Sequence, residues 1–213
     1  NQGNGRPNKP APNVKPNKPG NNKPSVGHNP GKPNRPAPNV RPNNPRHHTP
    51  PPHSHRPNYR PMPHVAPPPV HHHYNAPRIS GILGITFGTL YNATLDYLYR
   101  HNYIVSGYIN DMVYLRNVSQ MGYTWEDVML NYTAGRLSGA QFVHSTRYSN
   151  RSRYNNVYSN LCRTYGAPIS TRYLPNNGRE CVWYGGYNHG MVSLEYYREN
   201  GRYYTTLSFG NTY

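Results

Sequence analysis

The histidines are the residues whose type and spacing could most directly do chemistry. Nine of the 12 histidines precede residue 79, and His71, His72 and His73 are adjacent. Clustered imidazoles bind Zn, Cu or Ni, so this run predicts a metal site, and we expect no other cofactor. The alternative is a segment that binds metals only adventitiously and gains charge below a pKa of about 6.5.

The two cysteines allow three interpretations. Cys162 falls on the buried stripe of a predicted helix and Cys181 in the next predicted strand, so a disulfide could join them and stabilise the fold by about 3 kcal/mol. They could instead be two buried thiols that act as small apolar residues, or one could pair with His144 or His189 as a catalytic dyad. We favour the disulfide, because the composition of the chain argues for export.

Other catalytic patterns are missing from the sequence. It contains neither H-E-x-x-H nor G-x-S-x-G. Glu126 and Asp127 are the only adjacent acids, and neighbouring residues of a strand face opposite sides of a sheet. We therefore assign no catalytic residue and expect a protein that is not an enzyme.

Tyrosine is the other residue type in excess, with 20 of 22 copies after residue 78. Tyr combines a rigid apolar ring with a polar tip and suits binding surfaces. The alternative is ordinary packing within strands. We predict exposed ligand-binding tyrosines around the loop of Gly185 and Gly186, where the backbone could approach a ligand closely. The candidates are Tyr184, Tyr187, Tyr197 and Tyr204.

Two helices and several strands must position these residues. Apolar residues at helical spacing predict helices over 89–101 and 153–165, and the two patterns align at an offset of 63 residues. After the first helix we predict a strand over 112–118 and a two-stranded hairpin over 128–142, and after the second a strand over 179–184 and a hairpin over 192–209. The sequence thus predicts an α+β fold, a tandem α-β-β-β repeat spanning about 85–146 and 150–211. One antiparallel sheet would carry both helices on one face.

This arrangement resembles the small α-β-β-β modules of bacterial envelope proteins. The resemblance depends on Ile85-Thr86-Phe87-Gly88 and the two hairpins. Outer-membrane assembly lipoproteins of the BamE type and tandem-repeat β-lactamase inhibitor proteins are similar in architecture, as are secreted proteins common in Bacteroidetes. The resemblance implies a secreted or periplasmic protein and transfers no functional residue.

Residues 1–78 have a different composition from the domain predicted over 79–213. They contain 22 of the 24 prolines, five Lys and seven Arg, and neither Asp nor Glu. We expect a disordered tail, since proline and few apolar residues oppose folding. Within it, residues 9–17 return with Lys replaced by Arg as residues 35–43, which we interpret as a low-complexity spacer.

These features predict a secreted or periplasmic binding module, with any signal peptide already removed. Its tyrosines would bind an envelope protein or a glycan, and the tail would act as a spacer or as a tether to a polyanionic surface. The alternatives are a nucleic-acid-binding protein that uses the basic tail and a metal-binding protein that uses the histidines. No stretch of the chain is apolar enough to predict a transmembrane segment.

Overall fold

The alternating and helical patterns of the sequence fold into two helices and one large antiparallel sheet. A computed structural model describes residues 59–69, 75–109 and 111–211. The first part contains β1 (Gly81–Ile82), β2 (Ile85–Thr86), α1 (Tyr91–Arg100), β3 (Ile104–Ile109), β4 (Met112–Gln120), β5 (Tyr123–Thr133) and β6 (Arg136–Thr146). The second part contains α2 (Ser152–Tyr165), β7 (Ser170–Leu174), β8 (Gly178–Tyr184), β9 (Met191–Glu199) and β10 (Arg202–Gly210).

Both predicted helices are present, and their boundaries follow from local sequence. α2 buries Tyr154, Val157 and Leu161 on one stripe, and it ends at Gly166, whose φ of 84° lies in the left-handed region that glycine tolerates. α1 begins at Tyr91, two residues after the start of the predicted range. The Thr89 hydroxyl does not cap it, because Thr89 Oγ1 donates to the carbonyl of Thr86 at 2.7 Å in the preceding turn.

Four antiparallel strands follow each helix, so the predicted three-strand unit is wrong. The sheet has eight strands in the order β3-β4-β5-β6-β10-β9-β8-β7. The additional strands, β3 and β7, form its two edges. Most of their residues are exposed or half-buried, so they lack the clear alternation that marks a strand in a sequence.

The main core lies between the helices and one face of the sheet. Leu98 of α1 and Leu161 of α2 are both fully buried in it. The inward-facing sheet residues around them include Trp125, Phe142, Trp183, Val192, Leu194 and Leu207. Both helices therefore cover the same face, as the sequence predicted. We call the opposite face of the sheet the second face.

Residues 59–69, which we call the strap, lie on the second face without regular secondary structure. Tyr59 packs there against Met129 and Val143, and Met62 and Val65 pack in a neighbouring cluster. The prediction placed residues 59–78 in a disordered tail, whereas the described residues of that range contact the domain. The expected disorder of residues 1–58 concerns residues outside the described ranges.

Two kinds of feature are absent from the part of the chain that the structure describes. No helix in it is long and apolar enough to cross a membrane. No three His, Cys, Asp or Glu side chains come together there as a metal-binding group. The predicted metal ligands His71, His72 and His73 lie outside the described residues.

Candidate functional site

Three of the four tyrosines that were predicted to be exposed are buried on the second face. Tyr184, Tyr197 and Tyr204 are 4%, 5% and 5% exposed, and only Tyr187, at 39%, is exposed. Alternation along β8, β9 and β10 places the three on this face, but the sequence did not reveal that the strap covers it. The prediction that these three are exposed is therefore wrong, although they lie on one surface.

The strap is fixed to the second face through the backbone of Arg60. The Arg60 N–H donates to Gln141 Oε1 at 3.3 Å, and Gln141 Nε2 donates to the Arg60 carbonyl at 3.0 Å. Gln141 is 1% exposed and also donates to Ser208 Oγ at 3.0 Å. The amide is thus held in one orientation and bonds both backbone groups of a single strap residue.

The side chain of Arg60 is bound by two residues of β9. Its guanidinium carbon lies 4.1 Å from the centre of the Tyr197 ring, within the range of a cation–π interaction. Its Nε lies 3.7 Å from Oε2 of Glu195, as an ion pair rather than a hydrogen bond. Tyr197 is supported from the next strand by Tyr204, whose ring stacks on it at 5.1 Å. The geometry suits a flat cation.

Glu195 is an unusual residue for the covered face of a sheet. It lies directly opposite Glu180 of β8 and is 2% exposed. Burial raises the pKa of the Glu195 carboxyl to about 7, the Arg60 charge opposes this rise, and the like charge of Glu180 adds to it. Glu180 has its own partner, since Arg172 donates to both of its carboxylate oxygens at 3.0 and 2.9 Å.

The rest of the strap is bound through carbonyl oxygens and apolar side chains. The Tyr184 hydroxyl donates to the Val65 carbonyl at 2.7 Å, and Asn188 Nδ2 donates to the Pro68 carbonyl at 3.0 Å. The Val65 side chain packs in the same small cluster as Tyr184. Tyr184 therefore binds a segment of its own chain through both its ring and its hydroxyl.

The glycine loop that was predicted to approach a ligand instead approaches the chain that enters the domain. The Gly186 N–H donates to the Pro77 carbonyl at 3.0 Å, and the Ile79 N–H donates to the His189 carbonyl at 2.8 Å. A Cβ on Gly185 would collide with this backbone. Tyr187, at the tip, lies under Arg78, with the guanidinium carbon 5.0 Å from its ring. The glycines are thus explained by contacts within the chain.

The structure has both cysteines as free thiols, not as the expected disulfide. Cys181 Sγ lies 3.5 Å from the Tyr154 hydroxyl and 3.6 Å from Thr171 Oγ1, so hydroxyl groups surround this thiol. The Nδ1 of His144, one of the two candidate dyad histidines, lies 2.9 Å from both carboxylate oxygens of Glu126 and not against a cysteine.

His144 and Glu126 form a second polar cluster, on the helix side of the sheet. Arg153 of α2 lies 4.0 Å from the Glu126 carboxylate. Burial acts to raise the pKa of Glu126, but the hydrogen bond and charge of His144 and the charge of Arg153 outweigh it, and the pKa is lowered. The other adjacent acid, Asp127, is paired with Arg116 at 3.3 Å. These are ordinary ion pairs that join neighbouring elements.

The comparisons with known proteins add no relative to this description: no protein-family model, no curated protein and no solved structure matches the chain. The fold and the site together define an α+β protein whose sheet binds a proline-rich segment of its own chain.

Arg60, Gln141 and Glu195 were not predicted as site residues. One signal was present, since five of the eight large apolar residues before residue 79 fall within 59–74. That enrichment indicates a segment with apolar side chains that can be buried against the domain. Gln141 and Glu195 have no such signal, because a polar residue at an alternating position is ordinarily solvent-exposed.

Proposed function

We propose that this protein is a non-enzymatic interaction module of the cell envelope or the secreted fraction, and that its second face is a binding site for extended proline-rich peptides. The observation that supports the proposal is the strap, which carries Pro61, Pro63 and Pro67–Pro69 and is bound through its backbone and its side chains. Such a face could accept a segment of an envelope protein. A glycan, the other ligand expected from the sequence, is a weaker fit to these contacts.

The chemistry of the face suits a proline-rich ligand. Proline-rich segments are pre-organised and lose little entropy on binding, and aromatic surfaces recognise them in other proteins. Three side chains, from Gln141, Tyr184 and Asn188, donate to strap carbonyls. A carbonyl is the only backbone hydrogen-bonding group that proline retains, so donors on the receptor are what such a ligand requires.

The domain that carries this face is proposed to be a duplicated unit of one helix and four strands. The support is the order of the elements, in which each half is a helix followed by an antiparallel meander, and the two halves meet at β6 and β10. Residues 63 apart also match in the two helices, as Tyr91 with Tyr154 and Leu98 with Leu161, which agrees with this interpretation. The face then spans strands of both halves, since Gln141 lies on β6 and Glu195 on β9.

A peptide-binding experiment tests the proposed function. Tyr59→Ser, Met62→Ser and Val65→Ser together remove the apolar contacts of the strap, and we call this protein the opened variant. A synthetic peptide of residues 58–69 should bind it saturably in isothermal titration calorimetry, whereas a scrambled peptide should not. If the opened variant unfolds cooperatively and still fails to bind, the proposal is wrong.

The basic tail supports a second candidate function, which is binding to a polyanion such as nucleic acid or an anionic surface. Residues 1–78 carry 12 cations without an acid. Affinity that depends on many phosphate contacts falls steeply with salt concentration. Binding of a DNA or RNA oligonucleotide with a flat dependence on salt would count against this candidate.

A further inference from the structure

The strap contains a six-residue pattern that occurs twice more in the chain. Residues Arg60-Pro61-Met62-Pro63-His64-Val65 read cation-Pro-x-Pro-x-Val. Residues 9–14 (Lys-Pro-Ala-Pro-Asn-Val) and 35–40 (Arg-Pro-Ala-Pro-Asn-Val) have the same pattern. The three copies begin 26 and 25 residues apart. The tail repeat that resembled a spacer therefore has a third copy, and that copy is the one bound to the sheet.

Two of the four shared positions, the cation and the valine, contact the second face. The cation at the first position contacts Tyr197 and Glu195, and its backbone bonds Gln141 in both directions. A proline in second place favours extended geometry in the residue before it and brings no N–H that needs a partner. At the sixth position, the Val65 carbonyl accepts a hydrogen bond from the Tyr184 hydroxyl, and the Val65 side chain packs in the same cluster as Tyr184.

The positions that differ predict a weaker fit for the tail copies. Met62, which approaches Gly210, corresponds to Ala in both tail copies, and Tyr59, which packs on the face, corresponds to Asn. The copy at 35–40 offers the same arginine with less apolar area, and the copy at 9–14 also replaces the flat guanidinium with a lysine ammonium. We therefore expect them to bind more weakly than the strap.

We infer that the second face is a receptor for the motif cation-Pro-x-Pro-x-Val, and that residues 35–40 or 9–14 of one copy of this protein bind the face of a second copy. The inference rests on the proposed function, since it names the ligand of the same face. Each chain has one such face and three motifs. The strap covers this face in its own chain, so a tail motif of one copy binds a second copy where the strap of that second copy has been displaced.

The first arm of the test uses peptides and the opened variant. A peptide of residues 34–43 should bind saturably, more weakly than the peptide of residues 58–69. The same peptide with Arg35→Ala and Val40→Ser should bind at least about tenfold more weakly, because it lacks the ion pair, the cation–π contact and the valine. If the 58–69 peptide binds and the 34–43 peptide does not, the inference is wrong while the proposed function stands. If neither binds, both are wrong.

The second arm tests the second copy as the source of the motif. The acceptor is the opened variant with Lys9→Ala, Val14→Ser, Arg35→Ala and Val40→Ser, so that it has an open face and no motif of its own. The donor is the unmodified chain. Sedimentation velocity should show a donor–acceptor complex. The matched control donor carries the same four tail substitutions with an intact strap, and it should form none.

The outcomes of this arm are distinct. An acceptor that binds the 34–43 peptide but forms no complex with the unmodified donor would refute binding between copies. A complex that the control donor also forms would refute the role of the motifs. If the opened acceptor does not fold, Arg60→Ala with the same four tail substitutions replaces it, because that change frees Glu195 and Tyr197 for the cation of the donor.

Discussion

Glu195 shows how strongly a single position can depend on a distant part of the chain. Its carboxylate faces Glu180 on the neighbouring strand, and the cation that it contacts, Arg60, comes from the strap. A buried carboxylate without full hydrogen bonding is costly when charged. The raised pKa of Glu195 expresses that cost, and it has a measurable consequence for stability.

We predict that Glu195 makes the domain less stable as pH rises from 4.5 to about 7. The lower limit is the ordinary pKa of a glutamate, and the upper limit is the pKa of Glu195 in the folded domain. The folded state binds the proton more tightly than the unfolded state, so the favourable contribution is complete below 4.5 and is lost as pH rises through 7. The shift corresponds to roughly 3 kcal/mol. Arg60, Glu180 and Arg172 are the charged groups that act on the carboxyl.

The measurement is the free energy of unfolding by urea at several pH values between 4 and 8. Glu195→Gln should remove most of the slope in this range. The matched control is Glu199→Gln, at the exposed end of the same strand, which should keep the slope. An unchanged slope in the Glu195 variant would show that this carboxyl does not titrate as described.

The Tyr184 hydroxyl gives a second prediction at this scale. Tyr184→Phe removes the donor to the Val65 carbonyl while the ring keeps its packing, so the loss should be about 0.5–1.5 kcal/mol. Hydrogen exchange in the strap should become faster. Tyr173→Phe is the control, because Tyr173 is exposed and should change neither quantity. A strap with unaltered exchange in Tyr184→Phe would contradict this contact.

At the scale of elements, α2 shows how a pattern of apolar residues becomes packing. The stripe of Tyr154, Val157 and Leu161 is buried against the sheet, and the ring of Tyr158 lies 5.7 Å from that of Trp183. The residues of α2 that make these contacts are the ones whose spacing predicted the helix. The strap is the opposite case, an element without regular structure that is fixed by individual contacts.

We predict that Leu161→Ala destabilises the domain by about 2–5 kcal/mol, because it removes a fully buried side chain and leaves a cavity. Chemical denaturation of the full chain measures the loss. Asn155→Ala, on the exposed side of the same helix, should cost little or nothing. Equal effects of the two substitutions would mean that α2 does not pack through the stripe that contains Leu161.

At the scale of the whole molecule, the boundary between tail and domain follows contacts rather than composition. The composition changes at Arg78, but Tyr59, Arg60 and Val65 contact the sheet before that point. Limited proteolysis should therefore leave a stable core that begins at or before Tyr59. Mass spectrometry of the core identifies its first residue, and a core that begins near residues 75–80 would show that the strap is not held in solution.

The sequence by itself determined the class of the fold, because that information is local. The stripe of Leu161 and the alternation around Leu194 each lie within one element, and each reports which side is apolar. The edge strands β3 and β7 were not predicted, because they bury too few side chains to show an alternation of apolar and polar residues. The place of Tyr197 on the same side of β9 as Glu195 was also implicit in the period of two.

Only the tertiary structure decided what covers the second face. Whether Tyr184 and Tyr197 are exposed depends on the strap, and no periodicity links residues 59–69 to β8 or β9. Gln141 and Glu195 resemble solvent-facing polar residues until Arg60 is placed against them. Contacts between segments far apart in sequence leave no local pattern. The binding site therefore forms only when the chain is folded. The contacts of the strap then identify which positions of the repeated motif bind the second face.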